Sequence, residues 1–197
     1  LLIDAGRRLC DAKIVLPSGA KVKARPGAVL LRRVSVSGSW GFLGNDPAVR
    51  ANGIEIRGPL LIEGQDTTTY SGNIISIYGD NCVIDGVRVL RYGGTAGGRA
   101  ILWRGDNGLV SDFQATEPRQ AAGVGGIRMA GGRGFRCFNS HVVSGDDAFQ
   151  FVPGAADDMP IMDGMYIGCT GGSYCARLMV VGLVDPVAGN TTSAFTM

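Results

Sequence analysis

The chain has 197 residues, 45% of them hydrophobic and 18% charged, with a formal net charge of +2. This is long enough for one domain with a sizeable core and too apolar for a disordered chain. The charge is too small for a nucleic-acid partner, and no apolar run reaches the ~18 residues that a membrane span requires.

Two compositional features narrow the fold and the ligand. The 32 glycines are about twice the usual share and follow no collagen period, so many turns need positive φ or close backbone approach. Few segments have a helical period, which leaves an all-β chain of many short strands. Lys13, Lys21 and Lys23 are the only lysines, and every other basic residue except His141 is an arginine. Arginine grips carboxylates bidentately where lysine acts as a point charge. An acidic sugar or another polyanion is one reading of that bias; a GC-rich genome produces it too. The five cysteines (Cys10, Cys82, Cys137, Cys169 and Cys175) lack metal-type spacing. Cys82 and Cys137 sit in apolar runs and read as small buried hydrophobes. Neither a metal nor a cofactor is expected.

In chain order, Leu1–Cys10 mixes apolar residues with arginines, as the tail of a short N-terminal capping helix would. Lys13–Pro17 reads as a strand ending in a Ser18-Gly19 turn, followed by strands at Ala28–Leu31, Gly53–Ile56 and Leu60–Ile62 and a polar loop at Gly64–Gly72. Then a repeat begins. Tyr78-Gly79-Asp80-Asn81 recurs as Arg104-Gly105-Asp106-Asn107 and more loosely as Ala130-Gly131-Gly132-Arg133, so the step is 26 residues twice over (78 to 104 to 130). Each tetrad lies between short apolar strands, Ile74–Ile77 and Val83-Ile84 around the first, and the pattern continues through Phe149–Val152 and Leu178–Val181. Short strands and Gly-rich turns at a period of 20 to 50 residues signal stacked rungs. The absence of helix-length segments favours a β-helix over a leucine-rich horseshoe. The expected fold is therefore all-β, a single-stranded right-handed parallel β-helix forming one domain over residues 1–197. The chain opens at Leu1 without a Met, which suits a fragment or a processed form, and Val180–Val187 runs into Asn190–Met197 without an evident cap.

Ser144-Gly145-Asp146-Asp147-Ala148-Phe149-Gln150-Phe151 is the segment most suggestive of chemistry. Adjacent carboxylates repel, which raises at least one pKa and suits a general acid beside a general base. Gly-Asp-Asp is also ordinary turn chemistry.

Gly145-Asp146-Asp147-Ala148-Phe149-Gln150-Phe151 resembles the Gly-Asp-Asp-Cys signature and alternating strand of the polygalacturonase family, family 28 glycoside hydrolases. Those proteins are right-handed β-helices, a fold shared with pectate lyases and phage tailspike depolymerases in the pectate-lyase-like superfamily. The resemblance implies Asp146 as general acid and Asp147 as one of two water-activating carboxylates. One rung earlier, 22 residues back, stands Gly125 in place of the second carboxylate, and Arg177 stands near the place of the family's histidine. The lone histidine, His141, lies in the strand before the pair.

Stacked rungs also align the loops Arg91–Arg99, Glu117–Gly125, Ser144–Asp147 and Gly171–Arg177 along one side. That side collects Tyr92, Arg99, Glu117, Arg119, Tyr174 and Arg177 with the Asp pair. Arg128 and Gln150 alternate with apolar neighbours and should face the same surface. Tyrosines stack on sugar rings while Arg and Asp bond hydroxyls or carboxylates. The leading expectation is an extracellular or virion-associated protein that binds and hydrolyses an acidic polysaccharide through Asp146 and Asp147. A second is a trimeric phage tail-spike or fibre segment that binds host glycans, and a third is a polysaccharide lyase using Arg128 or Arg177 as base.

Overall fold

A computed structural model of the protein describes residues 1–64, 69–153 and 160–182, together with the backbone of the strand Thr192–Thr196. Every regular element among the described residues is a β-strand, and every strand pairing is parallel. No helix there is long and apolar enough to cross a membrane.

The strands form two sheets. One holds β3 (Ile14–Val15), β6 (Gly41–Gly44), β8 (Asn73–Tyr78), β10 (Gly98–Arg104), β13 (Val124–Met129), β17 (Phe149–Phe151) and β20 (Met179–Val181), stacked in chain order. The other includes β7 (Glu55–Glu63), β9 (Val83–Leu90), β11 (Leu109–Ser111), β15 (Arg136–Phe138) and β18 (Ile161–Ile167). The chain alternates between sheets and pairs each strand with the one a repeat away, an arrangement consistent with a parallel β-helix. Ile101 pairs with Ile75 on one side and Ile127 on the other, the 26-residue step (75 to 101 to 127). The next pairing, Ile127 with Phe149, is 22 residues (127 to 149), and Phe149 with Met179 is 30 (149 to 179).

The repeating tetrad has a physical cause. Asn81 and Asn107 both adopt left-handed backbone (φ 54°), and Gly134 does so on the following rung (φ 72°). Asparagine tolerates that region better than other non-glycine residues. Asn107 Nδ2 donates to Asn81 Oδ1 (3.2 Å), Asp80 Oδ1 accepts from Asp106 N (2.7 Å), and Asp106 Oδ1 accepts from Arg133 N (2.7 Å). Each turn is thus tied to the one stacked on it.

Alternation along the strands sends Ile75, Ile77, Ile101, Trp103, Ile127, Met129, Phe149 and Phe151 into a continuous core. Toward the later rungs the core becomes aromatic. Phe135 contacts Trp103 (centroids 5.6 Å apart), Phe151 (6.5 Å) and Tyr166 (5.8 Å). Cys82 and Cys137 are buried and burial pushes both thiols up.

Leu1–Cys10 corrects the expected capping helix. It forms β1 (Leu2–Ile3), paired with β4 (Lys21–Ala24), and β2 (Gly6–Cys10), paired with β5 (Ala28–Arg32). Gly6 between them has φ 111°, outside the helical range, and β5 supplies the backbone partners of β2. Gly53–Ile56 and Leu60–Ile62 merge into the one strand β7, with a register shift between Arg57 and Leu60. Most of the expected open C-terminal end and part of the Gly64–Gly72 loop lie outside the described residues.

Phe135 is fully buried, so Phe135→Ala is expected to cost about 3–5 kcal/mol, read as a lower midpoint in urea denaturation.

Candidate functional site

Asp146 and Asp147 occupy the turn that leads into β17. Asp146 N donates to Val124 O (2.8 Å), while its carboxylate accepts from Gly123 N (2.6 Å) and Asp147 N (3.0 Å). Ser144 Oγ closes the turn by donating to Asp146 O. Asp146 therefore clamps the loop of the preceding rung. Asp147 is buried and is gripped from the following rung: Arg177 donates through its backbone N (3.2 Å) and Nε (2.8 Å) to Oδ1, and through Nη2 (3.0 Å) to Oδ2. This bidentate pair pulls the Arg177 guanidinium further up, and it uses both oxygens of the carboxylate that the resemblance assigned to water activation.

On the same outer face, register places Arg99 beside Gly125 and Arg128 between Leu102 and Gln150. A Cβ at Gly125 would lie 2.8 Å from Gln150 Nε2 and 3.4 Å from Arg99 Cγ. Glycine here makes room for the Gln150 amide, with the Arg99 stem alongside. Where the resembling family has a second carboxylate, this chain has no side chain. Arg99 Nε is buried without a hydrogen-bond partner. Burial lowers Arg99, partly offset by Asp146. Burial, and then the charge of Arg99, push Arg128 down to about 10. Arg128 is fixed by bonds from Nε to Val152 O (2.8 Å) and Nη2 to Pro153 O (2.9 Å), and Gln150 Nε2 donates to Asp147 O (3.1 Å). Arg99, Arg128, Asp146, Asp147, Gln150 and Arg177 together line one cavity of about 450 Å³.

Four predicted residues stand elsewhere. Tyr92 is fully buried; its hydroxyl donates to Val143 O (2.6 Å), and burial pushes the phenol up. The left-handed Arg91 (φ 51°) turns the chain just before it, and Tyr92 then enters the core. Glu117 is exposed, 3.9 Å from Arg91 Nε, on the turn after β12 (Gln114–Thr116). Arg119 is half-buried, its backbone N on Tyr92 O (2.9 Å), and Tyr174 is 56% exposed; neither lines the cavity. His141 is exposed, with Nδ1 2.9 Å from Thr170 Oγ1.

Sequence reasoning missed Arg32, which is completely buried and donates to the carbonyls of Tyr70 (3.0 Å), Gly72 (3.2 Å) and Gly93 (3.3 Å). It ties the loop at Tyr70–Gly72 to Gly93, and burial pushes it down to about 10. The only sequence signal was an arginine closing the apolar run Ala28–Leu31. Among the described residues no cluster of three or more His, Cys, Asp or Glu could hold a metal ion.

No family model and no curated protein matches the chain. Solved structures do. The N-terminal fragment of bacteriophage phi29 gene product 12 is 14% identical at a TM-score of 0.58, over 92% of this chain and 38% of that one. A candidate glycosyl hydrolase from Parabacteroides merdae is 15% identical at a TM-score of 0.50, over 95% of this chain and 82% of that one. These likenesses show a shared fold, and the chain spans well under half the length of the phage fragment.

Removing the exposed partner of Asp147 leaves a buried carboxylate unpaired. Arg177→Ala is expected to lower the urea midpoint, and adding Asp147→Asn to restore most of the loss; a double-mutant cycle measures the coupling.

Proposed function

We propose that this chain binds an acidic polysaccharide in the cationic cavity on the outer face of the sheet that holds β10, β13 and β17, through Arg99 and Arg128. The observation that carries this reading is the charge balance. Asp147 is neutralised by Arg177, and Asp146 is held by backbone N–H groups. Arg99 and Arg128 then share a largely buried space without a carboxylate bonded to either, and the charge of Arg99 adds to burial in disfavouring Arg128 as a cation. A ligand carboxylate entering there relieves that repulsion and meets donors in the planar geometry that suits it.

The phage likeness supports reading the chain as a segment of a virion-associated or extracellular β-helix; the form proposed for it is a homotrimer of the pectate-lyase-like superfamily, coiled to the right. Hydrolysis is the second reading, favoured by Asp146 and Asp147 lining this same cavity and by the likeness to the Parabacteroides protein. In it Asp146 protonates the leaving oxygen and Asp147 assists water, which requires Asp147 to loosen its bonds to Arg177.

The test is titration calorimetry with oligogalacturonate. Arg99→Ala and Arg128→Ala are each expected to weaken binding at least tenfold, a factor worth about 1.4 kcal/mol, and added salt to weaken the wild type. Unchanged affinity in both variants sinks the binding reading. Reducing-end release that disappears in Asp146→Asn supports hydrolysis, and a wild type that binds without releasing ends removes it.

A further inference from the structure

Two further cavities follow the cationic one along the same sheet. Arg99 also lines a neighbouring cavity of about 640 Å³ walled by Ser35, Ser37, Ser71, Asn73 and Thr95. Ser35 and Ser37 in turn line a third cavity, of about 430 Å³, that ends on Lys13 and Trp40. The three cavities adjoin at these shared walls, and topology explains their line. Arg177, Asp147, Arg99, Asn73 and Trp40 stand at or just before the starts of β20, β17, β10, β8 and β6, successive members of one sheet apart from β13. Arg128, on β13, is three interstrand steps from β6 and four from β3, which Lys13 directly precedes. At ~4.8 Å per step that is about 15–20 Å.

Charge along the trough is uneven. Arg99 and Arg128 mark one station. Lys13 marks the other, its ammonium 3.1 Å from the centroid of the Trp40 ring. Asp11 lines the same cavity, and its carboxylate is engaged by Arg33 (3.6 Å). Between the stations the wall is hydroxyl, amide and glycine backbone, with no charged side chain but Arg99. Gly98 (φ 132°) lets adjacent rungs approach closely here, since a Cβ there would stand 2.3 Å from Gly72 O. Asn73 holds the stations in one frame: its Nδ2 donates to Trp40 O (3.1 Å) and its Oδ1 accepts from Arg99 N (3.0 Å).

We infer that the trough takes an acidic heteropolysaccharide lengthwise, with anionic sugars at the Arg99–Arg128 and Lys13–Trp40 stations and neutral sugars over the stretch between. This rests on the cationic-cavity reading above and adds the form of the ligand: a chain whose acidic groups are spaced by neutral units. The Trp40 ring supplies an apolar face for a sugar ring at the far station. A chain long enough to reach both stations binds the second as an intramolecular event, so its affinity exceeds that of a short one.

Size-fractionated hyaluronan, in which a uronate alternates with a neutral amino sugar, is the probe, with calorimetry on the whole chain. The decasaccharide is expected to bind the wild type at least tenfold more tightly than the disaccharide. Lys13→Ala, at an exposed side chain, and Trp40→Ala should each remove that gain and leave the disaccharide unchanged, whereas Arg99→Ala should weaken both. Equal affinity for the two lengths, or a gain that survives Lys13→Ala and Trp40→Ala, overturns the extended trough while the cationic cavity stands. If neither length binds, or if Arg99→Ala changes neither, the cationic-cavity reading fails and the trough proposal falls with it.

Discussion

The parallel backbone ladder from each strand to the strand one repeat away is the constraint on which everything else depends. Side chains alternate with a period of two, so pairing Ile101 with both Ile75 and Ile127 puts all three inside and sends Leu102 and Arg128 outside together. A slip of one residue would exchange the two sets and place Arg128 in an aliphatic and aromatic core. The outward columns are therefore as strictly aligned as the buried ones. Residues far apart in the chain, such as Leu102, Arg128 and Gln150, share a surface because the ladder leaves them no other place.

That alignment alters the meaning of the acidic pair. In isolation, Asp146-Asp147 reads as two carboxylates awaiting a substrate. In the stack, each reaches a different neighbour, Asp146 to the rung before through Gly123 N and Asp147 to the rung after through Arg177. They join three rungs as charged braces. Their like charges are tolerable because backbone N–H groups answer one and a guanidinium the other. The cavity beside them takes its character from Arg99 and Arg128.

Much of this was legible in the chain because it depends on local spacing. The Asn-containing tetrads announced their step since the left-handed turn position admits few residues, and Arg128 and Gln150 were assigned outward by simple alternation. Longer-range features were hidden. Leu1–Cys10 lacks an alternating pattern because β2 is largely exposed, and its strand identity comes from partners about twenty residues away. Tyr92 sat in a loop by sequence, yet a single left-handed residue before it turns it into the core. Arg32 was invisible because its partners are backbone carbonyls, which carry no side-chain signature. Lys13 and Trp40 lie 27 positions apart (13 to 40) and meet only after the first rungs stack.

Gly125 carries a consequence for how such a surface can change over generations. The Gln150 amide, at 2.8 Å, is the nearest atom to the place a side chain at 125 would take, and the Arg99 stem follows at 3.4 Å. That amide is the end of a flexible side chain, so a carboxylate at 125 would be admitted once Gln150 swung aside. The swing would break the bond from Gln150 Nε2 to Asp147 O (3.1 Å) and set a new acid against Arg99. Gaining an acid at 125 therefore exchanges a brace of the Asp pair, and part of the positive charge of the cavity, for the new group.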